Sequence, residues 1–122
     1  MAFFTDASPA IGKPGETHTS QLNELGVVRH ASDGYDYIYL KGVASTVAND
    51  VVVFDGAFNT RRIAQTGTPM KGGVAIASFA IVAGEFGWYG YVGSFTANCD
   101  STALSNAYCF VQATVGRIDD AL

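Results

Sequence analysis

The sequence reads GEFGWYGYVG over residues 84–93, and this stretch says more about the fold than any other. Glycine stands at every third position, with aromatic residues in between. The repeat is too short for collagen and contains no proline. Aromatic residues favour β-strands, and a glycine within a strand marks a bend or the close approach of another segment. We therefore interpret the segment as a curved aromatic strand, with Gly87 and Gly90 on opposite faces.

Three aromatic side chains of this strand, Trp88, Tyr89 and Tyr91, allow two interpretations. They pack in the core or in an interface between subunits, or they form a platform on which a sugar ring stacks. We favour packing and keep the platform as the alternative.

Strand-type runs flank this segment on its N-terminal and C-terminal sides. Residues 35–40 carry tyrosine at every second position, which places Tyr35, Tyr37 and Tyr39 on one face of a strand. Further runs, bounded by Gly and Asp turn signals, cover residues 25–30, 51–54, 60–64, 74–82 and 108–115. The run at 74–82 fits a helix or a strand by periodicity alone, and the glycines on both sides of it favour strands, as two short ones. The pattern predicts an all-β fold, a compact sandwich or barrel of about seven to nine short strands.

Residues 1–24 differ from the rest of the chain and predict an extended N-terminal arm ahead of a β domain at 25–122. Pro9 and Pro14 break any helix and remove backbone donors, so at most one helical turn is expected, at 20–24.

The candidate contact residues of this arm are Phe3, Phe4 and Ile11. A purely solvated tail has little use for two phenylalanines. The arm is therefore either a loose terminus or a segment that a partner orders.

Composition limits the classes of protein to which the chain can belong. Its 122 residues fit one domain. Charged residues make up 15% and hydrophobic residues 48%, whereas an average soluble domain has about 25% charged residues. We therefore expect part of the surface to be covered by other molecules. The net charge of −4 argues against nucleic acid as a partner.

The sequence has neither a membrane span nor a secretory signal at its start, so synthesis in the cytoplasm is expected.

The sequence contains no recognisable catalytic or metal-binding motif. The Gly-x-Ser-x-Gly and phosphate-loop patterns are missing, and His18 and His30 are interpreted as ordinary surface histidines. The spacing of these histidines and of Cys99 and Cys109 matches no zinc module. The two cysteines form a disulfide or remain thiols, and thiols are favoured in a reducing cytosol. We expect no catalysis, no cofactor and no metal.

Several short motifs together suggest a family. They are YLKGVA at 39–44, NDVV at 49–52, GVAIA at 73–77, AGEFGWY at 83–89 and VG at 92–93. This pattern of glycines, aromatic residues and small residues resembles small capsid decoration, or cement, proteins of tailed bacteriophages. The resemblance covers about residues 35–118.

The resemblance implies a compact β domain, often trimeric, that binds the outside of a phage head and reinforces it. It implies the major capsid protein and further copies of the chain as partners, a place on the virion surface, and no catalytic residues to carry over. For such a role, the expected capsid or subunit interface residues are Phe3, Phe4, Ile11, Trp88, Tyr89 and Tyr91.

Two other functions remain open at this point. A carbohydrate-binding β module of a viral fibre would use Trp88, Tyr89 and Tyr91 as its stacking surface. A small enzyme or an enzyme accessory domain would need a convergent polar pocket.

Overall fold

The computed structural model describes Phe4 and residues 12–43, 45–64, 72–99, 110–111 and 115–119. Within these ranges the chain forms nine β-strands and no helix. The strands are β1 (Thr17–His18), β2 (Val28–His30), β3 (Asp36–Gly42), β4 (Asp50–Phe54), β5 (Asn59–Arg62), β6 (Gly73–Ala77), β7 (Phe86–Val92), β8 (Phe110–Val111) and β9 (Ile118–Asp119). The prediction of an all-β fold with short strands is confirmed.

Five of the strands close into a barrel. Around the barrel the order is β3, β7, β6, β4 and β5, and β5 then pairs with β3 again. All of these pairs are antiparallel except β3 with β5, which are parallel through Lys41↔Asn59 and Gly42↔Thr60. β1 extends the sheet from β7, β2 extends it from β3, and β8 and β9 form a separate two-stranded sheet. Of the two predicted architectures, the structure has the barrel.

Alternate side chains of the barrel strands fill its interior, as the two-residue period of a strand requires. This core consists of Ile38, Leu40, Val52, Phe54, Ala75, Ala77, Ile81 and Tyr89. Ala75 and Ala77 are the small members of the set, and they share the interior with the large ring of Tyr89. The interior is thus packed with side chains of complementary size.

A second apolar cluster covers the outer face of β3 and β7. Its buried members include Tyr37 and Tyr39 of β3 and Trp88 of β7, and Tyr35 packs against them. The predicted tyrosine face is therefore confirmed. The remaining cover comes from Phe4, Leu25, Val27, Phe86 and Phe95. As a result, β3 and β7 are buried on both faces.

A buried carboxylate, Asp50, anchors the start of β4. It accepts hydrogen bonds from the Val47 amide (2.9 Å), Arg62 Nε (2.7 Å) and Asn98 Nδ2 (3.2 Å). Arg62 also donates to the Val115 carbonyl oxygen at 3.1 Å. Because the carboxylate is only 1% exposed, it depends on these donors rather than on water. Asp50 thereby links four segments that are distant in sequence.

The N-terminal segment packs on the barrel more closely than the sequence predicted. Thr17 of β1 pairs with Gly87, and Pro14 is buried. His18 Nδ1 lies 2.9 Å from the Tyr39 hydroxyl group, which also accepts a hydrogen bond from the Leu22 amide at 3.2 Å. The expectation that residues 1–24 stand apart does not hold for residues 12–24. No helical turn forms at residues 20–24.

Three predicted runs differ from the observed strands in extent. The run at 25–30 forms a strand only from Val28, and the run at 74–82 forms one strand that ends at Ala77. Residues 78–85 are instead the loop between β6 and β7. In the run at 108–115, β8 occupies residues 110–111, while 108–109 and 112–114 lie outside the described residues.

The close approach expected at the glycines of β7 is confirmed for Gly90, where a Cβ atom would lie 2.7 Å from the ring of Phe95. We predict that Gly90→Ala lowers the free energy of unfolding by about 1–3 kcal/mol, because the ring must move to admit a methyl group. Gly56→Ala is the matched control, since a Cβ atom there meets nothing within 4 Å. Urea unfolding checks both variants, and equal losses of stability would contradict the packing argument.

Candidate functional site

The three aromatic residues predicted as a site do not share a surface. Trp88 points to the outer cluster beside Tyr37 and Tyr39, whereas Tyr89 points into the barrel. Both are buried, and only Tyr91 is well exposed, at 43%. The register between β3 and β7 shifts beside Tyr91, so a bulge leaves Tyr91 without a pairing partner on β3, and its ring lies 6.1 Å from that of Phe54 at the end of the strand. Core packing is thus the correct interpretation for Trp88 and Tyr89, and the stacking platform does not form.

The hydroxyl group of Tyr89 is buried without a partner in hydrogen-bonding geometry among the described residues. Burial raises the pKa of Tyr89 to about 12, and the nearby Thr60 side chain opposes this shift in part. Thr60 itself donates to the Lys41 carbonyl oxygen at 3.2 Å. A buried hydroxyl group without a well-formed hydrogen bond costs free energy, so the contribution of Tyr89 to the core comes from the packing of its ring.

Phe4 lies on this chain's own aromatic cluster. Its ring centroid is 4.4 Å from that of Trp88 and 6.2 Å from that of Tyr37, and its backbone bridges to Ala31. The described contact of Phe4 is therefore with this chain's own aromatic cluster, and contact of the arm with a partner stays a prediction. Phe3 and Ile11, the other predicted contact residues of the arm, lie outside the described residues.

Exposed apolar side chains gather at one end of the barrel, on the β3–β4 loop (43–49) and the β6–β7 loop (78–85). The two loops meet because Gly42 and Thr46 donate backbone hydrogen bonds to the carbonyl oxygens of Glu85 and Ile81, each at 2.8 Å. Together they carry Val43, Val47, Phe79 and Val82, all exposed. We call these four side chains the loop-pair surface. The sequence analysis missed it, because residues 78–82 looked like strand.

The opposite end of the barrel has a different character. It carries the turn before β3 and the turn between β4 and β5, with the carboxylates of Asp33, Asp36 and Asp55. Tyr91 and Val92 are exposed at the same end, where β7 finishes. We call this the acidic end. Its surface combines negative charge with exposed apolar groups.

The histidines are structural in their described contacts. His18, expected on the surface, is largely covered and lies between the Tyr39 hydroxyl group and Glu16, whose carboxylate is 3.7 Å away. His30 is exposed, as expected, and its Nδ1 lies 2.8 Å from Asp36 Oδ1. Cys99 is half-buried with its Sγ 3.7 Å from the Ala97 carbonyl oxygen. Cys109 lies outside the described residues.

The contacts among the described residues are mainly apolar packing and hydrogen bonds that hold loops and strands in place. In these ranges, no group of three or more His, Cys, Asp or Glu residues is placed to hold a metal ion. The part of the chain that the structure describes also has no helix of the length and apolarity needed to cross a membrane. Comparison with known proteins adds no assignment, since no family model, curated protein or solved structure gives a significant match.

Phe4→Ala tests the contact between the arm and the barrel. We predict a loss of about 1–3 kcal/mol in the free energy of unfolding, because a half-buried ring leaves the cluster. Trp88 is the single tryptophan of the chain, so its fluorescence reports this site directly and should shift to longer wavelength as water reaches it. Val92→Ala, at an exposed position of the acidic end, should leave the emission unchanged. An unshifted spectrum for Phe4→Ala would show that Phe4 does not cover Trp88.

Tyr89→Phe tests the unpaired hydroxyl group. At neutral pH the variant should be as stable as the parent or slightly more so, because an unsatisfied buried group is removed. The folded-state pKa of Tyr89 is about 12 and the unfolded value is about 10, so the stability linked to this group is fully present below about pH 10. As the pH rises towards 12, the parent loses about 3 kcal/mol through this group, because the buried phenolate is disfavoured in the folded state. Tyr89→Phe should therefore lose less stability than the parent over this interval.

Tyr37→Phe is the control for Tyr89→Phe. The hydroxyl group of Tyr37 donates to Asp33 Oδ2 at 2.6 Å, so its removal should cost about 1–3 kcal/mol at neutral pH. Urea unfolding at several pH values measures both effects. If both variants lost the same stability at pH 7, the distinction between the paired and the unpaired hydroxyl group would be wrong.

Proposed function

We propose that this chain is a non-catalytic structural protein that binds the outside of a phage capsid and reinforces it. Its partners in this proposal are the major capsid protein and further copies of itself in a homotrimer, and its location is the surface of the virion. The observation that carries the proposal is the pair of exposed apolar surfaces at the two ends of a closed barrel.

Two contact surfaces at opposite ends suit a protein that joins other subunits. Monomeric soluble proteins rarely leave large contiguous apolar patches in water, and such patches mark interaction sites. The loop-pair surface exposes Val43, Val47, Phe79 and Val82 at one end, and Tyr91 and Val92 are exposed at the other. A chain that contacts one neighbour at each end acts as a clamp between them. This geometry supports a structural role.

The resemblance in sequence supports the more specific proposal of capsid decoration. The motifs that resemble phage decoration proteins fall on β3, β4, β6 and β7, which are four of the five barrel strands. The similar pattern is therefore part of one folded unit rather than spread over unrelated segments. The low content of charged residues, 15%, suits a surface that is largely covered in an assembly.

The carbohydrate-binding alternative has less support from the geometry. Sugar stacking needs aromatic rings that face solvent. Trp88 and Tyr89 are covered by the chain itself, and Tyr91 alone is exposed. One exposed ring next to aspartates offers a small surface for a sugar.

Binding to purified particles tests the proposed function. The chain, made separately, is mixed with particles of the virus that encodes it from which the chain has been removed, and the pelleted fraction is measured. We expect saturable binding at a fixed ratio to the major capsid protein and greater resistance of the particles to heat or chelator. Heads of an unrelated tailed phage are the control. Failure of the chain to pellet, or its absence from purified virions by mass spectrometry, would contradict the proposal.

A further inference from the structure

We propose that the loop-pair surface is the site at which this chain binds another copy of itself. The inference rests on the proposed function in one respect, that the chain works as a homo-oligomer, and it assigns the contact to one end of the barrel. The occupant is an identical chain, and the acidic end stays available for a different partner.

The first argument is that the loop pair is a preformed surface. Thr46 is buried between the two loops, where its Oγ1 accepts a hydrogen bond from the Ile81 amide at 3.0 Å. The Thr46 amide donates in turn to the Ile81 carbonyl oxygen at 2.8 Å. The Gly42 amide likewise donates to the Glu85 carbonyl oxygen, and the Gly42 carbonyl oxygen accepts a hydrogen bond from the Gly84 amide. A surface that is already ordered loses little conformational entropy when it binds.

The second argument is the contrast in charge between the two ends. Among residues 43–49 and 78–85, Glu85 is the single charged residue. The other end presents Asp33, Asp36 and Asp55. Two copies that meet at their acidic ends place like charges opposite each other, which opposes association. Copies that meet through the neutral loop pairs avoid this repulsion, so the charges favour self-association at this end over the acidic end.

The third argument is the edge of the surface. The ring of Phe79 packs on Gly15, and the exposed charged residues next to that glycine are Lys13 and Glu16. The apolar centre therefore has at its edge one positive and one negative side chain. Subunits related by a rotation axis bring their copies of the patch together around that axis, so the positive group at the edge of one copy can lie beside the negative group of the next. A polar rim around an apolar centre is the usual form of a protein interface.

The test compares two substitutions of the same chemistry. Val82 on the loop pair and Val74 at the start of β6, near the other end of the barrel, are both 51% exposed. Val82→Asp and Val74→Asp therefore place the same charge at equally exposed positions. The oligomeric state of each full-length chain is measured by sedimentation velocity over a range of micromolar concentrations, without any particle present. Circular dichroism and thermal melting verify that each variant is folded.

We expect the parent chain to be oligomeric and Val74→Asp to match it. Val82→Asp should weaken association by about a hundredfold or more, because a carboxylate would be desolvated in the contact without a partner. If Val82→Asp fails to fold, Val47→Asp takes its place, since Val47 is 57% exposed. A monomeric parent at hundreds of micromolar would overturn the inference, as would a folded loop-pair variant that associates like the parent or a Val74→Asp chain that dissociates equally.

The same variants separate this inference from the proposed function. If Val82→Asp is monomeric but its individual chains still bind particles, both the self-contact and the particle contact at another surface are supported. If the parent is monomeric and yet binds particles, the self-contact is wrong while the structural role stands. If the loop-pair variant is oligomeric and no chain binds particles, both ideas fail for separate reasons.

Discussion

The pairing of β3 with β7 is the constraint on which the rest of the structure depends. The two strands pair from Lys41↔Phe86 to Asp36↔Val92 and are buried on both faces, with Tyr89 inside the barrel and Trp88 outside it. A strand with two apolar faces needs cover on both sides. The barrel covers one face. Phe4, Phe95 and the residues on either side of β2 cover the other, so these peripheral parts belong to the fold rather than being additions to it.

The ends of strands β4 and β5 are joined by the buried carboxylate of Asp50. Asp50 stands at the beginning of β4 and Arg62 at the end of β5, with 2.7 Å between the carboxylate and Nε. A buried ion pair adds little net stability compared with apolar packing, but loss of one member leaves a charge without a partner. Removal of either member would therefore cost more stability than the intact pair contributes. The pair fixes Val47 and Asn98 relative to the barrel, and Val47 belongs to the loop-pair surface.

The sequence predicted the strands that have strong local patterns and failed where tertiary contacts decide. The alternating tyrosines of residues 35–40 and the apolar run 51–54 indicated β3 and β4, because a period of two is visible without a partner. β1 has no such pattern. Its place follows from the contact of His18 with the Tyr39 hydroxyl group and from the missing side chain of Gly87. Such long-range contacts leave no periodic signal, so residues 12–24 looked like a free arm.

The sequence indicated which residue types the candidate site contains, but not the direction in which their side chains point. The sequence analysis selected the aromatic residues of 86–92 as a candidate site, but a strand turns successive side chains to opposite faces. Trp88 and Tyr89 therefore lie in two separate clusters. Exposed apolar side chains lie at the ends of the barrel, and several of them are valines that the sequence alone cannot distinguish from core valines. A closed barrel has no free edge between its own strands. Association of such a barrel must use its loops or its outer face, and the aromatic part of that face is already covered. The two ends of the barrel leave apolar side chains exposed, so they offer contact surface without any change in the barrel.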